Sequence, residues 1–257
     1  MEAQSTDQPK SPAGKRALVT GAATGLGREI ALALVAAGYS VAAADRDFDG
    51  VETTAALAES GRIVPLWLEL PDATSMAEAQ EAAITALGGL DLLVNNAGIS
   101  MPKAAMDLTT DEWDSVMDVN LKAAFFMSTG FARYRKGQGG GGAIVNLGST
   151  HGIVGIAGRA AYGISKAGII HMTKMLAIEW APMGLRVNAV APGTVLTPSR
   201  EKLLSDPDKR QWMLGRIPTG QFITPVDVAA AAVYLAGAEA GSVTGHTLVV
   251  DGGSTIW

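Results

Sequence analysis

The strongest constraint on the fold of this 257-residue chain is an alternation of seven short, nearly continuous apolar runs with longer stretches of helical spacing. The runs are Arg16–Thr20, Ser40–Ala44, Ile63–Leu68, Leu92–Asn95, Ala143–Leu147, Arg186–Ala191 and Thr247–Val250. A run without polar alternates suits a strand covered on both faces. The stretches between them carry helix caps. Thr109 with Glu112 three residues on forms a capping box, and Thr224-Pro225 supplies an N-cap and a first-turn proline. This order predicts an α/β fold, a parallel sheet of about seven strands with helices on both faces.

No composition shift or repeat divides the chain, so residues 15–257 are predicted to form one domain. The polar residues 1–14, with two prolines, read as a disordered lead-in and not as a signal peptide. Two segments break the alternation. Lys136–Gly142 (KGQGGGG) reads as a flexible surface loop. Residues 197–222 mix charges, prolines and Trp212, as a lid or substrate loop does.

Composition narrows the function. With 48 % hydrophobic and 18 % charged residues the chain is globular. A net charge of -5 and no basic block argue against a nucleic-acid partner. The longest apolar-leaning run falls short of the ~20 residues a membrane span needs, so no membrane partner is expected. The chain has no cysteine, which excludes disulfides and thiolate metal sites and fits a cytoplasmic protein. His171 and His246 have no partners that would suggest a metal.

Four motifs carry chemistry. Gly21, Gly25 and Gly27, in TGAATGLG at the first strand–helix junction, allow a tight turn and bring backbone amides to a pyrophosphate. Asp45 ends the second strand 24 residues after Gly21, where a ribose 2′-hydroxyl is recognised. Its charge would oppose a 2′-phosphate by about 4 kcal/mol at contact and an effective dielectric of 20, which favours NAD over NADP, although Arg46 beside it would partly neutralise a phosphate. Asn96, Ala97 and Gly98 close the fourth strand with small residues against which a flat ligand can lie. Tyr162 and Lys166 stand at i and i+4, one face of one helix. A free phenol titrates near ~10, and a neighbouring ammonium stabilises the phenolate and brings it into the useful range for acid/base work. Ser149, at the end of the fifth strand, is placed to hydrogen-bond a substrate oxygen. The glycine turn, Asp45, Asn96, Ser149 and Pro192-Gly193 all follow strands, the edge at which parallel sheets bind ligands.

Together these motifs resemble the short-chain dehydrogenase/reductase family, from about Lys15 to the C-terminus. The matching residues are TGAATGLG (20–27), NNAG (95–98), Asn120 in VMDVNLKAAFF, Ser149 in IVNLGS, YGISK (162–166) and RVNAVAPGTVLTP (186–198). The resemblance implies a Rossmann-type doubly wound sheet and a catalytic tetrad of Asn120, Ser149, Tyr162 and Lys166. Tyr162 would be the acid/base, Lys166 would bind the nicotinamide ribose, and Ser149 would orient substrate. Asn120 would distort its helix and hold a water that relays protons from Lys166. Thr24 and Leu26 would meet the phosphates and ribose, and Pro192, Gly193, Val195 and Thr197 would flank the nicotinamide. Where the family commonly has Asp-hydrophobic at the adenine, this chain has Glu69-Leu70. The resemblance also implies a homotetramer.

The expected activity is hydride transfer between NAD(H) and a secondary alcohol or ketone, with a sugar, polyol or sugar acid as substrate. The alternatives are a 3-oxoacyl-thioester reductase using NADPH and a non-catalytic dinucleotide-binding sensor. Near the substrate end, Arg159 reads either as a solvated loop arginine or as a hold on a substrate carboxylate. His151 reads as an incidental neighbour or a substrate contact. Trp257 is a candidate wall for a neighbouring subunit's pocket, and the other tryptophans read as packing residues.

Overall fold

The computed structural model describes residues 15–58, 61–197 and 205–256, so the lead-in 1–14, residues 198–204 of the substrate loop and Trp257 lie outside the described residues. All seven expected strands form: β1 Lys15–Thr20, β2 Tyr39–Asp45, β3 Ile63–Trp67, β4 Leu92–Asn95, β5 Ala143–Leu147, β6 Arg186–Pro192 and β7 Thr247–Val250. They pair in parallel in the order β3-β2-β1-β4-β5-β6-β7. The order reverses at β1, which lies between β2 and β4, and that reversal opens a crevice at the carboxyl ends of the strands. Pro65 lies within β3, and it is tolerated there because β3 is an edge strand.

Among the described residues eight α-helices flank the sheet: α1 Gly25–Ala36, α2 Phe48–Leu57, α3 Ala73–Leu87, α4 Thr110–Met117, α5 Ala123–Gly137, α6 Ala160–Trp180, α7 Pro207–Leu214 and α8 Pro225–Ala236. Successive strand residues feed opposite cores, which is why the runs are apolar throughout. Ala17, Val19, Val41 and Val94 pack under α1, α2 and α8, while Leu18, Ala42, Leu93 and Ile144 pack under α3, α5 and α6. Each fully buried leucine here contributes about 1.5–3 kcal/mol.

Both expected caps form: Thr109 and Glu112 exchange hydrogen bonds at the start of α4, and Thr224 does the same with Asp227 ahead of Pro225 in α8. Between α4 and α5 a π-helical turn spans Asp118–Lys122. The substrate loop is pinched at its base, where Leu196 N donates to Ile223 O (2.7 Å) and Ile223 N to Thr194 O (3.2 Å).

Two readings need correction. The glycine run is held in place: Gly140 N donates to Arg135 O and Gly141 N to Met183 O, both at 2.7 Å, and the Arg135 guanidinium reaches back to Gly140 O and Gly141 O. Four successive positive-φ glycines let the chain coil round that side chain. Packing also explains only some of the tryptophans. Trp113 and Trp180 are partly buried, but Trp67 and Trp212 are more than half exposed.

Candidate active site

The first turn of α1 is built to receive an anion. Its N-cap, Thr24, makes no side-chain cap, and no acid stands in its first turn. Aspartate or threonine caps occupy the starts of α2, α3, α4 and α8. The leading amides of α1 are therefore left for a ligand. Gly21 takes φ +67° where the chain turns, and a Cβ on Gly27 would stand 2.0 Å from Gly21 O. Gly27 thus closes the turn onto the helix but does not line the cleft, so its expected role as a contact residue becomes one of packing.

From this turn a cleft of about 570 Å³ runs along the carboxyl edge of the sheet. Gly21, Thr24, Gly25, Leu26 and Asp45 line one end, with Glu69 and Leu70 beyond them. Asn96, Ala97 and Gly98 floor the middle, and Ser149, Tyr162, Lys166, Pro192, Gly193, Val195 and Thr197 enclose the other end. The volume suits a small-molecule or cofactor site, and an acid at one end with uncapped amides beside it matches the ribose and pyrophosphate of a dinucleotide. Asp45 accepts from Ala23 N (3.2 Å) and Asp47 N (3.1 Å), which fixes the carboxylate at the cleft wall.

At the far end, Lys166 is buried and donates to Leu147 O at 2.7 Å, with its ammonium 5.8 Å from the centre of the Tyr162 ring. Burial alone pulls its pKa down to about 8. Ser149 Oγ accepts from His151 N at 3.2 Å, and the His151 ring meets the Tyr162 ring edge-on at 5.7 Å. Neither His151 nor Arg159 lines the cleft; Arg159 donates to Ser100 Oγ at 2.7 Å, and Ser100 does line it.

Asn120 sits in the π-helical turn with its side chain buried and fully engaged. Its Oδ1 accepts from Ile99 N (2.8 Å), and its Nδ2 donates to Ile99 O (2.9 Å) and Ser165 Oγ (3.0 Å). The helix is distorted as the resemblance implied, yet the side chain binds the wall and not the cleft. Asn96 likewise spends its amide on Thr20 O and Gly21 O (2.9 and 3.0 Å), tying β4 to the glycine turn. Leu68, Ile99, Ser100, Val119, Leu147 and Gly148 also line the cleft. Val119, Leu147 and Gly148 fall inside the matched stretches VMDVNLKAAFF and IVNLGS, while Leu68, Ile99 and Ser100 follow strands β3 and β4 and have only that adjacency as a sequence signal.

An anion-ready helix start facing an acid, with a phenol and an amine one turn apart across the same cleft, defines a nicotinamide-dinucleotide-dependent oxidoreductase. The chain belongs to the short-chain dehydrogenase/reductase family: residues 21–255 match the family model described as enoyl-(acyl carrier protein) reductase. It is 39 % identical to D-threitol dehydrogenase of Mycolicibacterium smegmatis, covering 95 % of this chain and 94 % of that one. It is also 39 % identical to 3-oxoacyl-(acyl-carrier-protein) reductase of Thermotoga maritima, over 95 % and 98 % of the two chains. A crystal structure from Agrobacterium tumefaciens, of a candidate 2-deoxy-D-gluconate 3-dehydrogenase with bound NADP, superposes with a TM-score of 0.86 at 39 % identity, covering 96 % and 98 %.

Proposed function

We propose that this enzyme moves hydride between NAD(H) and the carbinol carbon of a sugar, polyol or sugar acid, with Tyr162 as the acid/base. The observation that carries the reading is the presence of Tyr162, Lys166 and Ser149 in the same cleft as the glycine turn and Asp45. The bound nicotinamide supplies the hydride acceptor in oxidation and the donor in reduction. In oxidation Tyr162, as phenolate, takes the hydroxyl proton while the carbon gives up hydride, leaving a carbonyl. Lys166 stabilises the phenolate through its charge, and Ser149 hydrogen-bonds the oxygen as its charge changes. Asn120 holds the 99–100 segment and α6 together behind the reacting groups. Tyr162→Phe should lower turnover by about 10²–10⁴-fold while nucleotide binding persists. A variant that kept more than about a tenth of wild-type turnover would remove Tyr162 from this role.

We favour NAD over NADP because the Asp45 carboxylate lines the cleft beside the glycine turn, where it would oppose a 2′-phosphate. The ratio of kcat/KM for NAD⁺ over NADP⁺ should exceed unity and should drop at least about tenfold in Asp45→Ser. The Agrobacterium structure with NADP and the exposed Arg46 support the competing cofactor, and the thioester-reductase relative supports the competing substrate class. An assay with NADPH and an acetoacetyl thioester decides between the two. We read residues 15–257 as one domain, active as a homotetramer. Support comes from the exposed Phe125, Phe126, Met175 and Ile178 on α5 and α6, an apolar face that suits burial against another copy. Among the described residues no helix is long and apolar enough to cross a membrane. A cytoplasmic location fits the cysteine-free sequence.

A further inference from the structure

The cleft is electrically asymmetric. Among the described residues that line it, the carboxylates are Asp45 and Glu69, both at the nucleotide end, where Arg46 also stands. At the substrate end stand Lys166 and, just behind the wall, Arg159. A parallel bridge between Lys103 and Arg159 fixes the backbone of Arg159, with Lys103 N donating to Gly158 O at 3.0 Å. The two cations of this bridge differ. Lys103 is neutralised by Glu112 (2.7 Å), whereas no carboxylate among the described residues pairs with Arg159. Arg159 gives one N–H to Ser100 Oγ (2.7 Å) and keeps four others in its planar fork. Because Ser100 Oγ accepts from Arg159, its own proton is left to donate toward the cleft that it lines. Arg159 is also the N-cap of α6, three residues before Tyr162 in the chain.

We propose that Arg159, with Ser100, is an anion subsite of this cleft, and that the substrate is a hydroxy acid whose carboxylate it holds while the carbinol lies at Tyr162. This rests on reading the cleft as the oxidoreductase site. A neutral polyol offers the guanidinium only uncharged hydroxyl acceptors, while a carboxylate takes a forked, charge-assisted pair from it and a third hydrogen bond from Ser100. The subsite therefore selects by charge, and it acts on binding more than on the hydride step.

The test compares four- to six-carbon aldonic acids with the alditols of the same skeletons, with NAD⁺, on the full-length wild type and on Arg159→Met, Arg159→Lys and Ser100→Ala. Wild type should prefer the acids, and Arg159→Met should raise KM for acids at least about tenfold more than KM for alditols, with the smaller change in kcat. Arg159→Lys should recover part of the loss, and Ser100→Ala should show a smaller loss of the same kind. Equal losses on both classes, or no wild-type preference for acids, would overturn the subsite. If wild type turns over neither class, the proposed substrate range fails. D-gluconate and D-glucitol binding to the NADH-loaded protein, followed by nucleotide fluorescence, then still reads the subsite. Tighter gluconate binding that is lost in Arg159→Met upholds it, and equal binding overturns it.

Discussion

At the scale of single residues, Lys166 carries the largest electrostatic cost. Burial lowers its pKa from the ordinary 10.5 to about 8, because the ammonium loses water that the hydrogen bond to Leu147 O does not fully replace. Below pH 8 the folded and unfolded chains both carry the proton, and the burial penalty, about 3 kcal/mol, is fully felt. Between about pH 8 and 10.5 the folded chain has released the proton while the unfolded chain still holds it, so stability from this group rises with pH. Lys166→Met abolishes that rise. Whatever the offset from the lost Leu147 bond, the stability of wild type relative to the variant should climb by about 3 kcal/mol between neutral and alkaline pH in urea unfolding. A gap that stays flat would mean the lysine is not desolvated. The Tyr162–Lys166 pair was legible in the sequence because both residues lie on one helix turn. The Arg159–Ser100 contact was not, because its partners are 59 residues apart and come from segments without regular structure.

At the scale of elements, strands and capped helices were readable because their signals are local. What holds α5 and α6 to the sheet was not. A buried polar chain runs beneath the site: Asn95 Nδ2 donates to Ser128 Oγ (2.9 Å) and Asn146 Oδ1 (2.8 Å), and Asn146 Nδ2 donates to Thr173 Oγ1 (3.0 Å). It ties β4 and β5 to both helices, and Thr173 lies two turns along α6 from Lys166. Within apolar runs these residues looked like exceptions, and only the packed structure shows them pairing with one another, with Asn95 Oδ1 left without a partner among the described residues. Asn146→Ala removes the middle of the chain and leaves its partners short of hydrogen bonds. It should cost about 1–3 kcal/mol, read as a lower urea midpoint at unchanged m. A loss under about 0.5 kcal/mol would show that water replaces the amide. The π-helical turn was reachable only through family resemblance. A contact across elements accompanies it: a Cβ on Gly168 of α6 would lie 2.6 Å from Leu121 Cδ2, so Leu121 packs directly onto the helix backbone.

At the scale of the whole molecule, the C-terminal turn joins the Tyr162 end of the cleft, through Gly193, to the base of the substrate loop. Asp251 is buried, and its carboxylate accepts from Gly253 N (2.8 Å), Thr255 N (2.8 Å) and Ser254 Oγ (3.1 Å). Burial works to raise its pKa, but these hydrogen bonds outweigh it and hold the carboxyl below its usual range. The turn is therefore secured at neutral pH and loosens only as acid titrates the folded carboxylate. Two walls rest on it. A Cβ on Gly193 would stand 2.8 Å from Asp251 Cβ, and Thr219 N, at the end of the substrate loop, donates to Gly252 O at 3.1 Å. Dinucleotide and substrate thus lean on one support, a coupling hidden from the sequence because more than thirty residues separate Thr219 from Gly252. Asp251→Ala should raise the dissociation constant for dinucleotide and the KM for substrate together, each by about three- to tenfold, as displacement of a shared hinge does. If titration calorimetry and initial rates show one constant moving while the other holds, the two walls are braced separately and the turn couples nothing.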